Sequence, residues 1–117
     1  MRMNNLVGDY TIIGTNQDEA ASPYRGVLTL TLNTANQIIA QWNIDNDQEQ
    51  FGVGFFRDQV LVINFSYVGD DTHTYKGTVV YRCLTKNILD GFWSEEYGDP
   101  NFVGTEQCFR ITEEIIN

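Results

Sequence analysis

The tripeptide Tyr24-Arg25-Gly26 recurs as Tyr75-Lys76-Gly77, 51 positions further on, and the same offset aligns a run of apolar residues. Trp42 meets Trp93, Phe51 meets Phe102, Leu28 meets Val79, Ile38 meets Leu89 and Ile12 meets Ile63. One residue then drops out, so that Val53-Gly54 matches Val103-Gly104. Agreement of Tyr, Gly, Trp and Phe at one offset reads as duplication of a structural unit, with repeats over 5–56 and 58–112. The competing reading is that the strands of any meander resemble one another. A chain of 117 residues holds one core and not two, so the halves belong to a single domain, 1–117.

Each half reads as four strands. The segments run over 5–15, 23–33, 37–45, 49–56, 59–67, 73–84, 87–95 and 101–112, each bounded by turn residues. In the second, Tyr24, Leu28, Leu30 and Leu32 share one face; in the third, Ile38, Ala40, Trp42 and Ile44 do. That is the period-two alternation of half-buried strands. A lone four-stranded sheet has two open edges and one apolar face, and two such units remove both by closing on each other. The expected fold is therefore all-β: an eight-stranded antiparallel up-and-down barrel, with a β-sandwich of two four-stranded sheets as the alternative. Gly52 and Gly54 lie on one face of the fourth strand, where a sheet bends tightly or another group packs close.

Sixteen acidic residues face seven basic ones, for a net charge of −9. Such a chain repels phosphate backbones and anionic lipid heads, so neither nucleic acid nor a membrane surface is expected as partner. No apolar run approaches a membrane helix, and Met1–Tyr10 has no hydrophobic signal segment. The expected location is cytoplasmic, or exported with a leader already removed. Two cysteines and one histidine cannot make a four-ligand zinc site, and no cofactor is expected. Cys83 and Cys108 fall on the sixth and eighth strands, about 10 Å apart across the seventh, so two free thiols are expected. Asp45-Asn46-Asp47-Gln48-Glu49 resembles a calcium loop in composition only, with Gln50 and Phe56 where such a loop needs glycine and glutamate.

In a barrel meander the loops alternate between ends. One end collects Asp18, Glu19, Asp45, Asp47, Glu49, Asp70, Asp71, Glu95, Glu96 and Asp99, ten of the sixteen acids. The other takes Arg2, Arg57 and Lys86, with Arg82 and Arg110 near it and Glu113 and Glu114 beyond. Tyr24, Trp42, Tyr75 and Trp93 fall near the acidic end, where ring faces and carboxylates suit an amine, another cation or a sugar. Alternatively these rings plug the barrel end as core. Glu106 and Asp90 lie inside strands; pairing with Arg82 or Arg110 is the expected state, and general acid chemistry the alternative if one is buried unpaired.

Gly8-Asp9-Tyr10, followed by Gly14-Thr15 and eight meandering strands, resembles the opening of the calycin-type barrels, avidin-like proteins among them. The resemblance implies a small-molecule-binding barrel. Tyr10 stands where those barrels open with tryptophan, and two tryptophans do not supply the cage by which avidins hold biotin. A second pattern resembles short bacterial proteins of unassigned function: Tyr24 and Gly26, Trp42, Gly52-Val53-Gly54, Tyr75 and Gly77, Trp93, then Gly104-Thr105-Glu106. The candidate ligand-binding set is Tyr10, Tyr24, Trp42, Tyr75, Trp93 and Glu106, with no catalytic set and no metal ligands. A non-catalytic barrel for a small neutral or cationic molecule is the first expectation. A structural or protein-interaction module, with self-association and exposed rings such as Phe55 and Phe56, is the second; a small barrel enzyme is the third.

Overall fold

Alternating strands separated by short turns close into a barrel in the computed structural model, which describes residues 1–112. A 3₁₀ turn, Met3–Leu6, precedes β1 (Gly8–Thr15), β2 (Pro23–Leu32), β3 (Ile38–Ile44), β4 (Gln48–Arg57), β5 (Val60–Val68), β6 (Thr74–Thr85), β7 (Ile88–Glu95) and β8 (Gly104–Arg110). Every strand pairs antiparallel with the next, and β8 pairs back onto β1. This is the eight-stranded up-and-down barrel; the sandwich alternative is excluded because no sheet edge stays open.

Tight turns make the closure. Asp45 and Asn46 both have positive φ (54° and 58°) between β3 and β4, as do Asp58 and Gln59 (51° and 66°) between β4 and β5. Asn and Asp tolerate the left-handed region that hairpin turns of this hand require. The Asp45–Glu49 segment is thus a hairpin turn running into β4.

The two halves share register at one hairpin and diverge on either side of it. Leu28 faces Trp42 across β2 and β3, and Val79 faces Trp93 across β6 and β7, so the 51-residue offset holds there residue for residue. Gly14 faces Tyr24 across β1 and β2, whereas Tyr75 faces Tyr67, not Phe65, across β5 and β6. Tyr75 is therefore carried up by two residues relative to the strand before it.

The lower half of the barrel is solid. Leu6, Tyr10, Ile12, Leu30, Ile38, Leu61, Ile63, Leu89 and Cys108 are buried within it. Cys83 and Cys108 both point inward, with Leu89 between them in the ladder, and both are free thiols as the spacing predicts. Burial pushes the Cys83 thiol up to about 11. Gly52 and Gly54 face inward on β4, where a Cβ at either would strike a backbone carbonyl of β5 and the side chain of Ile63. Of the two rings proposed for the outer surface, Phe55 is exposed (63%), but Phe56 turns inward and packs on the core.

Candidate functional site

Five residues in one ladder row define the middle of the barrel. Tyr24 on β2 faces Gly14 on β1; Gly14 faces Glu106 on β8; Glu106 faces Gly91 on β7; and Gly91 faces Tyr81 on β6. The carboxylate thus stands between two strands that carry no side chain at this level. Each tyrosine reaches across its glycine to fill the gap. A Cβ at Gly14 would collide with the Tyr24 ring, and one at Gly91 with the Tyr81 ring. Both hydroxyls donate to the carboxylate, Tyr24 to Oε2 and Tyr81 to Oε1, each at 2.6 Å.

Two indoles extend the row into a chain. Trp93 Nε1–H donates to the Tyr24 hydroxyl (2.9 Å), and Trp42 Nε1–H donates to the Tyr81 hydroxyl (3.0 Å). Protons therefore point inward along both arms, from indole to phenol to Glu106. Burial pushes the Glu106 carboxyl above its ordinary range, against the lowering effect of the hydrogen bonds from Tyr24 and Tyr81 and of the neighbouring Trp42 indole. Burial, followed by the Glu106 charge, pushes the Tyr24 and Tyr81 phenols well up, which keeps both as donors.

Above this row the barrel opens. A cavity of about 230 Å³ occupies the mouth at the acidic end, with Glu106, Tyr24 and Val79 low in it. Trp42, Phe65 and Trp93 line it; Phe65 lies edge-to-face with both indoles, at 6.0 and 6.2 Å between ring centroids. Tyr67 stacks on Phe65 at 6.5 Å and donates its hydroxyl to Glu95 Oε1 (2.6 Å), a rim carboxylate. The loop from β7 to β8 is tied down by Gln17. Its Nε2 donates to Ser94 Oγ, Asp99 O and Phe102 O, and its Oε1 accepts from Glu95 N, all within 2.9–3.0 Å.

Four of the six residues singled out from sequence meet here: Tyr24, Trp42, Trp93 and Glu106 line the cavity. Tyr75 does not, because the two-residue slip lifts it past the rim. There it stacks on Tyr67 (5.4 Å) and donates its hydroxyl to Asp71 Oδ2 at 2.5 Å. Tyr10 lies at the opposite end. Its hydroxyl donates to Leu6 O (2.7 Å), and the Arg110 guanidinium sits over its ring, 4.8 Å from the centroid. Burial pushes the Tyr10 phenol up to about 12, with Arg110 pulling back.

The expected arginine pairings are also corrected. Arg110 turns to the floor, where it donates to the carbonyls of Asn5 (2.6 Å), Val7 (2.8 Å) and Lys86 (2.7 Å) and to the Tyr10 hydroxyl (2.7 Å). Carbonyls of the 3₁₀ turn and of the β6–β7 hairpin leave it no reach to Glu106. Asp90 points out of the barrel opposite Arg82, and no ion pair involves either among the described residues. Glu113 and Glu114, expected to make the floor end mixed in charge, lie outside the described residues. Among the described residues, no group of three His, Cys, Asp or Glu side chains is placed to hold a metal ion.

Sequence reasoning missed Tyr81, Phe65 and Gln17. Tyr81 sits in an apolar run, Val79-Val80-Tyr81, and is not matched by a tyrosine in the other half.

Solved structures share the barrel. A redesigned beta barrel, mFAP1, bound to DFHBI aligns with a TM-score of 0.70 and 17% identity, covering 92% of this chain and 97% of that one. EF1p2_mFAP2b bound to DFHBI aligns at 0.65 and 15%, covering 92% and 95%. A protein of unknown function from the DUF3598 family of Nostoc punctiforme PCC 73102 aligns at 0.52 and 9%, covering 95% of this chain and 49% of that one. These likenesses establish the small β-barrel fold. No family model matches the sequence, and no curated relative does.

Proposed function

We propose that this protein is a non-catalytic barrel that binds a small neutral or cationic molecule in the mouth at its acidic end. The observation that carries the reading is the contrast between the two ends. The floor is filled by Tyr10, Leu6 and Arg110, whereas the mouth keeps a cavity of about 230 Å³ lined by rings over one buried carboxylate. Apolar walls with a few fixed polar groups are how small-molecule sites are built. Barrels of this fold, mFAP1 and EF1p2_mFAP2b, are solved with DFHBI bound, which supports the same use of the architecture. The calycin resemblance points the same way. Its opening residues Gly8 and Tyr10 serve the floor: a Cβ at Gly8, whose φ is +145°, would strike the Arg110 guanidinium. Burial holds the neighbouring Cys108 thiol protonated, and both Glu106 oxygens accept phenolic hydrogen bonds, so the reading is binding and not turnover.

The test is a titration of the protein with small neutral and cationic aromatic compounds, followed by NMR at the two indole N–H signals. Saturable shifts of both Trp42 and Trp93 are expected with at least one compound. Their abolition in Trp93→Ala, with the fold retained, assigns the mouth. If neither indole moves with any compound, the reading fails.

A second reading, an interaction module, is favoured by the outer face of β4. Phe51, Val53 and Phe55 are 50%, 46% and 63% exposed there, and Val62, Val80 and Phe92 continue the Phe55 row around the barrel. Contiguous exposed apolar surface of this kind marks contact sites. Sedimentation velocity across a concentration series, with Phe55→Ser as control, separates a self-associating protein from a monomer.

A further inference from the structure

The charged residues that line the mouth cavity are all acidic. Asp45 just after β3, Glu95 at the end of β7 and Glu106 two residues inside β8 step from the rim to the middle of the barrel. Among the described residues, no lysine, arginine or histidine lines the cavity. Hydrogen bonding is equally one-sided. Glu106 receives Tyr24 on one oxygen and Tyr81 on the other, and an ionised carboxylate has about four acceptor sites. The remaining lone pairs can be met only by another donor. Glu95, at the rim, receives the Tyr67 hydroxyl on Oε1 alone.

We propose that the mouth cavity selects an arylalkylammonium guest, with its ring among Trp42, Phe65 and Trp93 and its N–H donors on Glu106. The proposal rests on the ligand-binding reading and narrows it to one class. An ammonium supplies both missing elements at once: donors for the free lone pairs and a positive charge for a desolvated carboxylate. The indole and phenyl walls attract the same cation through their ring quadrupoles. A neutral alcohol of the same shape brings a donor without the charge. A carboxylate brings neither and meets three like charges in a cavity of low dielectric. The burial that pushes the Glu106 carboxyl up is offset once a cation sits against it, so the guest also favours the ionised form of its own acceptor.

Three near-isosteric probes test the class: 2-phenylethylammonium, 2-phenylethanol and phenylacetate, each followed at the indole N–H signals of Trp42 and Trp93. The ammonium is expected to bind about tenfold tighter than the alcohol at about 50 mM salt, and phenylacetate to give no saturable shift. In Glu106→Gln the preference for ammonium should fall to about threefold or less. Glu95→Gln, at the rim, should lose a smaller part of it and supplies the test should Glu106→Gln not fold. Raising salt to about 500 mM should weaken the ammonium and leave the alcohol unchanged. An alcohol that binds as tightly as the ammonium overturns the class and leaves the binding reading standing. Absence of saturable shifts with all three probes overturns the class, and the binding reading falls with it only if the wider set of neutral and cationic aromatic compounds also moves neither indole.

Discussion

Removing one oxygen atom tests whether the Glu106 network is a coupled unit. Tyr81→Phe keeps the ring, which is fully buried, so the packing loss is close to zero. It deletes the donor to Glu106 Oε1 at 2.6 Å and the acceptor of Trp42 Nε1–H at 3.0 Å. A hydrogen bond to a charged group contributes about 1.5–3 kcal/mol, and a buried donor left unpaired costs about 1–3 kcal/mol. Trp42 is only 2% exposed, so water does not readily replace the lost acceptor. The two losses share one atom and do not add in full, which gives an expected destabilisation of about 3–4 kcal/mol. Tyr24→Phe deletes the matching atom on the other arm. Its indole partner, Trp93, is only half-buried, and water can satisfy it, so only the bond to Glu106 Oε2 is lost and about 1.5–3 kcal/mol is expected. Urea unfolding at neutral pH, followed by tryptophan fluorescence, measures both. In a Glu106→Gln background the cost of Tyr81→Phe should shrink by about 1–2 kcal/mol, the coupling across that contact. A cost below about 1 kcal/mol for Tyr81→Phe, or the same cost with and without the carboxylate, would refute the reasoning.

Because burial raises the Glu106 carboxyl in the folded state, its contribution to stability is present in full below its unfolded value and is lost as pH rises through the folded one. The groups facing it are Tyr24 from β2, Tyr81 from β6 and Cys108 from its own strand, all shifted upward, so they stay neutral across this window. Unfolding free energy should therefore fall by up to about 1.4 kcal/mol per pH unit above the ordinary carboxylate range, and Glu106→Gln should flatten that slope in the same urea assay. Gly14→Ala puts a methyl into the Tyr24 ring and should cost about 1–3 kcal/mol while shifting the Trp93 indole N–H signal, because Tyr24 must move off its partners. Arg110→Met strips the floor of its carbonyl contacts and should cost about 2–4 kcal/mol by thermal melting, with guest affinity at the mouth unchanged.

The barrel was legible in the sequence because its determinants are local. Alternation over Tyr24–Leu32 and Ile38–Ile44, short polar turns, and two halves with edges to hide each follow from residues close together in the chain. Trp42 stands opposite Leu28 and Trp93 opposite Val79, and both indoles reach the lumen. The site was less legible because it depends on register between strands far apart. Tyr75 was misplaced by a slip of two residues between β5 and β6, which nothing in the Tyr-Lys-Gly tripeptide signals.

Glu106 shows the same limit from the other side. Read along the chain, a carboxylate within a strand calls for an arginine, and Arg110 stands four positions away on the same inward face. Only the ladder shows that Gly14 and Gly91 flank Glu106, so that Tyr24 and Tyr81 can lean over them, while Arg110 lies at the floor among carbonyls that hold it. The glycines are the half of the signal present in the sequence. An inward-facing glycine beside a buried carboxylate, with a tyrosine one strand further on, is a pattern that only the pairing register turns into one hydrogen-bonded row. Trp42 and Trp93 complete it, since each supplies the indole N–H that orients one of the two phenols toward the same acid.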